Sequence, residues 1–275
     1  MTPASLTTRG ARSADVNVTR PFLDAPRPIT FAHRGGAALW PENTLESFRG
    51  ALALGYRYIE TDVHVTHDGE VVICHDAAVD RTTDGHGPIA SLTLAELRRL
   101  DAGYRFERAG AFPYRGQGLG VPTLAEALGL APELRLNIDI KPRGEDAVRA
   151  LWELVDRLGA HDRILVASGH SPSLRAFRRL SRGRVATSAS ANEILRFWLA
   201  SRAGVSRALR IGYDALQVPI HRHGLRVVDE RFVRAAHARG LHVHVWTLDS
   251  PRVAAHLAEL GVDGIMTDRP DLFAP

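Results

Sequence analysis

Residues 29–63 of the chain, ITFAHRGGAALWPENTLESFRGALALGYRYIETDV, contain two short apolar runs separated by an amphipathic segment. The runs Ile29–Ala32 and Tyr56–Val63 have the length of β-strands, and Thr44–Leu54 between them has the apolar spacing of a helix. A strand, a helix and a second strand in this order form a βαβ unit, which joins two parallel strands. The segment therefore predicts a parallel sheet.

The same alternation continues to the C-terminus and predicts the fold class. Eight runs in about 245 residues favour an α/β fold of the (β/α)8 TIM-barrel type over an open doubly wound sheet. No Gly-x-Gly-x-x-Gly motif follows the first run, which argues against a dinucleotide-binding fold. The further strands are predicted at Leu134–Ile140, Ile164–Ala167, Val185–Thr187, Ala215–Val218, Leu241–Trp246 and Gly264–Thr267. The further helices are predicted at Thr123–Leu130, Glu145–Leu158, Ser173–Leu180, Asn192–Ala203, Asp229–Arg239 and Pro251–Leu260.

One section interrupts this alternation. The turn sequence Thr66-His67-Asp68-Gly69 is followed by another apolar run, Val71–Cys74, which together predict a β-hairpin after the second strand. Residues 77–120 are rich in turn formers and hold one clear helix, Thr93–Leu100. We interpret them as an insertion at the end of the barrel where the loops of such enzymes form the active site.

Composition restricts the remaining possibilities. The 275 residues are 45% hydrophobic and 24% charged, as in a globular protein, and no stretch approaches the ~18 apolar residues of a membrane span. Residues 1–27 form an N-terminal extension, expected to be loose, without the apolar run of a secretion signal, and residues 28–275 form one barrel domain. A single cysteine, Cys74, also fits a cytoplasmic location.

The net charge of +4 does not indicate nucleic-acid binding. The basic residues are arginines scattered along the chain among 31 acidic residues, with Lys141 as the only lysine. A nucleic-acid-binding protein normally concentrates its basic residues on one face or helix. We therefore expect a small-molecule substrate, while the oligomeric state stays open.

Polar residues stand where the predicted strands end, which is where barrel enzymes build their sites. Glu60 and Asp62 are two residues apart and point to the same side of a strand, as do Asp139 and Lys141. Carboxylates that converge inside a barrel are costly to bury unless a cation neutralises them, and oxygen ligands suit Mg²⁺ or Ca²⁺. A hairpin turn centred on His67-Asp68 would place His75 opposite Glu60.

In this arrangement the chain resembles the glycerophosphodiester phosphodiesterase family over about residues 29–270. The resemblance rests on motifs in a fixed order. They are His33-Arg34-Gly35 with Pro41-Glu42-Asn43-Thr44, Glu60-Thr61-Asp62 with His75-Asp76, Arg81-Thr82-Thr83-Asp84-Gly85, Val121-Pro122-Thr123-Leu124, Asn137–Lys141, Val245-Trp246-Thr247 and Gly261–Asp268. The family has a (β/α)8 barrel with a small insertion and hydrolyses glycerophosphodiesters to glycerol 3-phosphate and an alcohol.

The resemblance also implies roles for individual residues. His33 and His75 would be the catalytic acid–base pair, and Arg34 and Lys141 would bind the phosphate. A divalent cation, Ca²⁺ or Mg²⁺, would be the cofactor, with Glu60, Asp62 and Asp139 as its ligands. Trp246 is expected to contact the substrate.

The chain departs from the family at two positions. It has Asp139 where the family usually has glutamate, and Ser168-Gly169-His170 where Ser-Ser-Phe is common. An alternative function is a lysophospholipase D-like or phospholipase C-like activity on lipids, with an apolar entry in residues 77–120 near Phe106, Phe112 and Tyr114. The sequence leaves open the alcohol, the metal, and whether water or a substrate hydroxyl is the nucleophile.

Overall fold

The computed structural model describes residues 20–273, which form eleven strands and eight α-helices. The strands are β1 Ile29–His33, β2 Tyr58–Val65, β3 Val71–Ile73, β4 Arg135–Ile140, β5 Ile164–Ala167, β6 Ala186–Thr187, β7 Ala215–Val218, β8 His221–Arg222, β9 Leu225–Arg226, β10 His242–Val245 and β11 Gly264–Thr267. The helices are α1 Leu45–Ala53, α2 Leu94–Leu97, α3 Leu124–Leu128, α4 Glu145–Arg157, α5 Ser171–Ser181, α6 Ala191–Ala203, α7 Glu230–His237 and α8 Pro251–Glu259. In this part of the chain no helix has the length and apolar character needed to cross a membrane.

Eight of the strands form a parallel barrel in the order β1-β2-β4-β5-β6-β7-β10-β11, and β11 pairs with β1. Between β6 and β7 the circle is completed by a parallel bridge from Ser188 to Ala215. The backbone N–H of Asp214 also donates to the carbonyl of Thr187 at 2.8 Å. The predicted (β/α)8 barrel is confirmed, and its predicted strands and barrel helices agree with the structure to within two residues at each end.

The two faces of each strand have different environments. On β2, Ile59 and Val63 point outward and pack in the apolar layer between the sheet and the helices. Tyr58, Glu60 and Asp62 alternate with them and point into the barrel, because successive side chains of a strand face opposite sides. The interior therefore changes along the barrel axis, from aromatic at the amino ends of the strands to charged at the carboxyl ends.

The hairpin after β2 is present, but its predicted register is wrong by one residue. β3 pairs antiparallel with β2 through Val63–Ile73 and Val65–Val71, so the turn is centred on residue 68 and residue 75 does not oppose residue 60. The loop has three residues instead of two, since the N–H of Thr66 still bonds to the carbonyl of Glu70. Gly69, with φ +87°, supplies the left-handed conformation that a three-residue hairpin loop needs.

The insertion that follows the hairpin has its own small core. Val79, Ile89 and Leu97 are fully buried in it, together with Cys74 from the hairpin. The helix in the insertion is shorter than predicted, Leu94–Leu97, and starts at a capping box in which Thr93 and Glu96 bond to each other's backbone N–H. This core holds the insertion against the barrel edge beside β2 and β3.

Part of the predicted N-terminal extension belongs to the barrel. Phe22 is 1% exposed, and its ring stacks on Phe31 and meets Tyr58 edge-on inside the barrel. The Tyr58 hydroxyl donates to the carbonyl of Phe22 at 2.9 Å. Residues 20–27 therefore close the amino end of the barrel, in contrast to the expected loose extension, and residues 1–19 lie outside the described part.

Two histidines of β10 are buried beneath the barrel's charged end. His244 is 0% exposed and accepts a hydrogen bond from Gln217 at 3.3 Å, while His242 accepts one from Arg27 at 2.9 Å. Burial lowers the pKa of His244 to about 3 and that of His242 to about 4. Both rings are neutral in the folded protein at physiological pH.

In the unfolded chain these histidines should take up protons near pH 6.5. In the folded protein they stay neutral at that pH. Stability should therefore fall as the pH is lowered from about 6.5 toward 4, by up to about 1.4 kcal/mol per pH unit for each histidine. Urea unfolding at several pH values measures this slope. His244→Gln, which cannot titrate, should flatten this slope. Equal slopes in the wild type and His244→Gln would contradict this account.

Candidate active site

A cavity of about 660 Å³ opens at the carboxyl ends of the barrel strands. All eight residues that the sequence placed in a site line it: His33, Arg34, Glu60, Asp62, His75, Asp139, Lys141 and Trp246. They lie on β1, β2 and β4 or in the segments just after β1, β3, β4 and β10, so the barrel gathers residues that are up to 213 positions apart. The insertion, residues 77–120, contributes none of the lining residues, and the predicted apolar entry near Phe106 lies outside this cavity.

His33 is the last residue of β1, and the chain turns sharply after it. Arg34 and Gly35 have φ of +51° and +84°, and a Cβ at Gly35 would collide with Ser47 on α1. The His33 ring is held by its Nδ1, 2.6 Å from Oδ1 of Asp268, while its Nε2 lies 3.6 Å from Glu60. Burial by itself lowers the pKa of His33, but the two carboxylates outweigh it and the net pKa is raised.

His75 has the same kind of support. Its Nδ1 lies 2.7 Å from Oδ1 of Asp76, and the other oxygen of Asp76 accepts from Arg81 at 2.5 Å. Arg81 also forms two hydrogen bonds to Glu42, and Glu42 accepts a third from Arg34 at 3.0 Å. Hydrogen bonding to Arg81 lowers the pKa of Asp76 to about 2, so this carboxylate is ionised beside the ring.

The carboxylates stand side by side because of the strand register. Glu60 pairs with Asn137, and Asp62 pairs with Asp139, across β2 and β4. Burial raises the pKa of Glu60, and the charge of Asp62 raises it further. Burial also raises the pKa of Asp139.

Asp62 is stabilised as an anion by its neighbours. Burial alone would raise its pKa, but the cations Lys141 and Arg34 outweigh it, so the pKa of Asp62 is lowered. The Lys141 ammonium lies 2.8 Å from Asp62 and 2.7 Å from Asp139. The Asn43 amide also donates to Asp62 at 2.9 Å. These contacts hold Lys141 charged between two carboxylates inside the cavity.

The oxygen atoms that line the cavity could hold a divalent cation. Three buried oxygens of cavity residues lack a hydrogen-bond partner in the described part of the chain: Oε2 of Glu60, Oδ1 of Asn137 and Oδ1 of Asp139. Unpartnered buried acceptors are unfavourable, and hard oxygen ligands are those that Ca²⁺ and Mg²⁺ prefer. Between residues 20 and 273 no three acidic, histidine or cysteine side chains already surround a metal position. The chemistry of the donors fits a hard cation.

Several residues of the site received no role from sequence reasoning. Asp268, Asp76, Glu42 and Arg81 support the two histidines and Arg34, and Asn43 supports Asp62. Each belongs to one of the motifs quoted above, but most of their contacts join different loops. No fixed spacing in the sequence predicts such contacts. Only the adjacency of His75 and Asp76 was visible as a signal.

Comparison with known proteins identifies the family to which the chain belongs. Residues 33–272 match the model of the glycerophosphoryl diester phosphodiesterase family. The chain belongs to this family. It is 36% identical over 257 residues to a Mycobacterium tuberculosis protein named "Probable glycerophosphodiester phosphodiesterase 2". The alignment covers 92% of this chain and 91% of the relative. It is 29% identical to the glycerophosphodiester phosphodiesterase of Caldanaerobacter subterraneus, over 89% of this chain and 96% of the relative.

Solved structures of the glycerophosphoryl diester phosphodiesterase family share the barrel. The phosphodiesterase domain of an uncharacterized Mycobacterium tuberculosis protein superposes with a TM-score of 0.78 at 25% identity, covering 88% of this chain and 96% of that one. An Oleispira antarctica phosphodiesterase, solved with its product sn-glycerol-3-phosphate, has a TM-score of 0.71 at 28% identity, covering 89% and 94%. Like its relatives, the present chain is an enzyme, a phosphoric diester hydrolase.

Asp268 is expected to act by orienting His33. In Asp268→Asn the carboxylate that accepts the Nδ1 proton is lost, so the ring can take the wrong tautomer or turn away. We expect kcat to fall at least about tenfold, equivalent to about 1.4 kcal/mol of transition-state stabilisation, with little change in KM.

Steady-state kinetics of the purified variant measures this effect. Asp271→Asn is the matched control, since Asp271 is an aspartate three residues away that pairs with exposed Arg269. A wild-type kcat in Asp268→Asn would show that the contact with His33 is incidental.

Proposed function

We propose that this enzyme hydrolyses small glycerophosphodiesters to glycerol 3-phosphate and an alcohol, with His33 and His75 as its acid–base pair. The observation that carries this proposal is the pair of histidine–carboxylate contacts beside one cavity, His33 with Asp268 and His75 with Asp76. The product named in the Oleispira antarctica structure supports the choice of substrate.

The phosphate would be bound by Lys141 and Arg34. A phosphodiester monoanion needs positive charge at its non-bridging oxygens, above all in the transition state. Lys141 supplies a compact charge inside the cavity. The Nε of Arg34 is buried, lies 3.4 Å from Asp62 and has no hydrogen-bond partner among the described residues, so it has a donor to offer.

The two histidines can carry the protons of the reaction. In each ring Nδ1 is engaged by a carboxylate, which leaves Nε2 to exchange a proton with a reacting group. One imidazole would accept the proton of the attacking hydroxyl, and the other, as imidazolium, would donate one to the leaving alkoxide. Hydrolysis breaks the bond between phosphorus and the oxygen of the alcohol and forms one to the incoming oxygen.

Glu60, Asp62 and Asp139 would hold a divalent cation, Ca²⁺ or Mg²⁺, with Asp139 in the place of the family's glutamate. When bound, such an ion supplies positive charge to the phosphate and removes the repulsion among the carboxylates. The unpartnered oxygens of Glu60 and Asp139 support this assignment.

Trp246, which is 42% exposed at the cavity, would contact the substrate. The single cysteine supports a location of the enzyme in the reducing cytoplasm. The scattered arginines favour a small molecule over a nucleic acid as the partner.

Removal of either histidine side chain tests the acid–base assignment. His33→Ala and His75→Ala should each lower kcat for glycerophosphocholine at least about 100-fold without loss of fold. With a p-nitrophenol leaving group, which needs no proton, the variant that lacks the general acid should recover most of its activity. His67→Ala, in the exposed hairpin loop, is the control. Turnover near wild type in either variant would remove that histidine from the mechanism.

Metal removal tests the cation assignment. A chelator should abolish activity, and Ca²⁺ or Mg²⁺ should restore it. Glu60→Gln and Asp62→Asn should need more metal for half-maximal activity, because each loses an anionic ligand, whereas Asp139→Glu should be tolerated. Glu133 is a half-exposed surface residue, so Glu133→Gln should need the same metal concentration for half-maximal activity as the wild type. Full activity after exhaustive chelation would refute a metal-dependent reaction.

A further inference from the structure

The cavity has two unlike walls. One wall carries the charged residues of β1, β2 and β4 and of the segments that follow them, and these strands are consecutive in the barrel order. β6, β7 and β10 lie directly across the eight-stranded barrel from these three strands. The lining on that side is mostly apolar, and its one permanently charged side chain among the described residues is Arg222.

The β8–β9 hairpin, which follows β7, places Arg222 at the cavity. His223 and Gly224 form its loop, with φ of +49° and +77°, and a two-residue loop of type I′ requires a positive φ at both positions. Arg222 pairs with Leu225 across the hairpin. Paired residues share one face of an antiparallel ladder, so both side chains lie on the face that lines the cavity, while Arg226 lies on the other face.

The base of this hairpin is fixed in the protein core. The N–H of Val227 donates to the carbonyl of Ile220 at 2.8 Å. Val227 and the next residue, Val228, are both buried in the apolar cluster that also contains residues of α7 and β10. The hairpin therefore presents Arg222 from a supported position, although the residue itself is exposed.

Arg222 has no counter-ion among the described residues. Three permanently charged side chains of positive sign line the cavity: Arg34, Lys141 and Arg222. Arg34 and Lys141 both lie beside Asp62, at 3.4 Å and 2.8 Å. No ion pair or side-chain hydrogen bond joins Arg222 to another residue between positions 20 and 273. Its guanidinium N–H groups are therefore free to bind a ligand in the cavity.

The proposed reaction directs this charge to one part of the substrate. If Lys141 and Arg34 hold the phosphate that is cleaved, Arg222 on the opposite wall meets a group that projects from it. The glycerol carries only hydroxyls, so a further charge can lie only on the alcohol. A guanidinium binds a phosphate or a carboxylate in a bidentate way, and it repels an ammonium group.

We propose that Arg222 is a specificity-determining residue that binds an anionic group, a phosphate or a carboxylate, on the alcohol of the glycerophosphodiester. This inference rests on the proposed phosphodiesterase reaction, in which the bond that breaks stays the same. The enzyme favours an alcohol that carries such a group over the same alcohol without it.

Two matched substrate pairs distinguish the two kinds of anion. Glycerophosphoinositol 4-phosphate differs from glycerophosphoinositol by one phosphate, and glycerophosphoserine differs from glycerophosphoethanolamine by one carboxylate. In at least one pair the member with the additional anion should have a kcat/KM at least about fivefold higher, as expected for a charge-assisted hydrogen bond. A preference in the first pair alone identifies a phosphate site, and a preference in the second pair alone identifies a carboxylate site.

Substitution of Arg222 tests whether this cation causes the preference. Arg222→Gln should remove the preference, and Arg222→Glu should reverse it, because a carboxylate repels the additional anion. Higher ionic strength should weaken the preference of the wild type, since exposed charges are screened by salt. Arg196→Gln is the control, because Arg196 is an exposed arginine of α6 that does not line the cavity, and this variant should keep the wild-type preference.

Two kinetic outcomes would overturn the anion site. One is the absence of a preference in both pairs while the members without the additional anion are hydrolysed normally, which would leave the proposed function intact. The other is an equal loss of kcat/KM on both members of a pair in Arg222→Gln, since Arg222 would then act on the phosphate that is cleaved.

Calorimetry tests the site without turnover. Inositol 1,4-bisphosphate and inositol 1-phosphate differ by the same phosphate as the first substrate pair, and phosphoserine and phosphoethanolamine differ by the same carboxylate as the second. In at least one pair the ligand with the additional anion should bind the wild type at least about fivefold more tightly, and Arg222→Gln should abolish the difference. Equal affinities within both pairs would refute the anion site even if no phosphodiester were hydrolysed.

Discussion

The burial of three carboxylates side by side is the constraint on which the rest of the site depends. Strand register places Glu60, Asp62 and Asp139 together at one end of the barrel interior, where each charge is expensive. The Lys141 ammonium between Asp62 and Asp139 offsets part of that cost. Burial still raises the pKa of Glu60, and buried oxygens of Glu60 and Asp139 remain without a hydrogen-bond partner among the described residues.

The supporting contacts around the two histidines have a common design. Each Nδ1 meets a carboxylate from a loop, which fixes the ring through that nitrogen. Arg81 binds both Asp76 and Glu42, and Glu42 binds Arg34. The insertion that carries Arg81 therefore shapes the site through ion pairs at its base and contributes no residue to the cavity lining.

The division of the cavity into a charged and an apolar wall follows from barrel geometry. Strands that are four positions apart in an eight-stranded barrel face each other, so β2 and β7 present opposite walls. Charged residues cluster where β1, β2 and β4 end, whereas the cavity lining from the segments after β6 and β7 is mostly apolar. The site can therefore contact a phosphate on one side and have apolar residues on the other without burying an unpaired charge.

The alternation of apolar runs with amphipathic segments determined the barrel from the sequence alone, because period and length are local properties of strands and helices. The two-residue spacing of Glu60 and Asp62, and of Asp139 and Lys141, likewise determined that each pair shares a side. Tertiary structure alone decided that Asp268 holds His33 and that Phe22 closes the barrel, since these contacts join residues far apart in the chain. It also decided the hairpin register, because a loop of three residues instead of two shifts every pairing by one position, and sequence leaves both loops open.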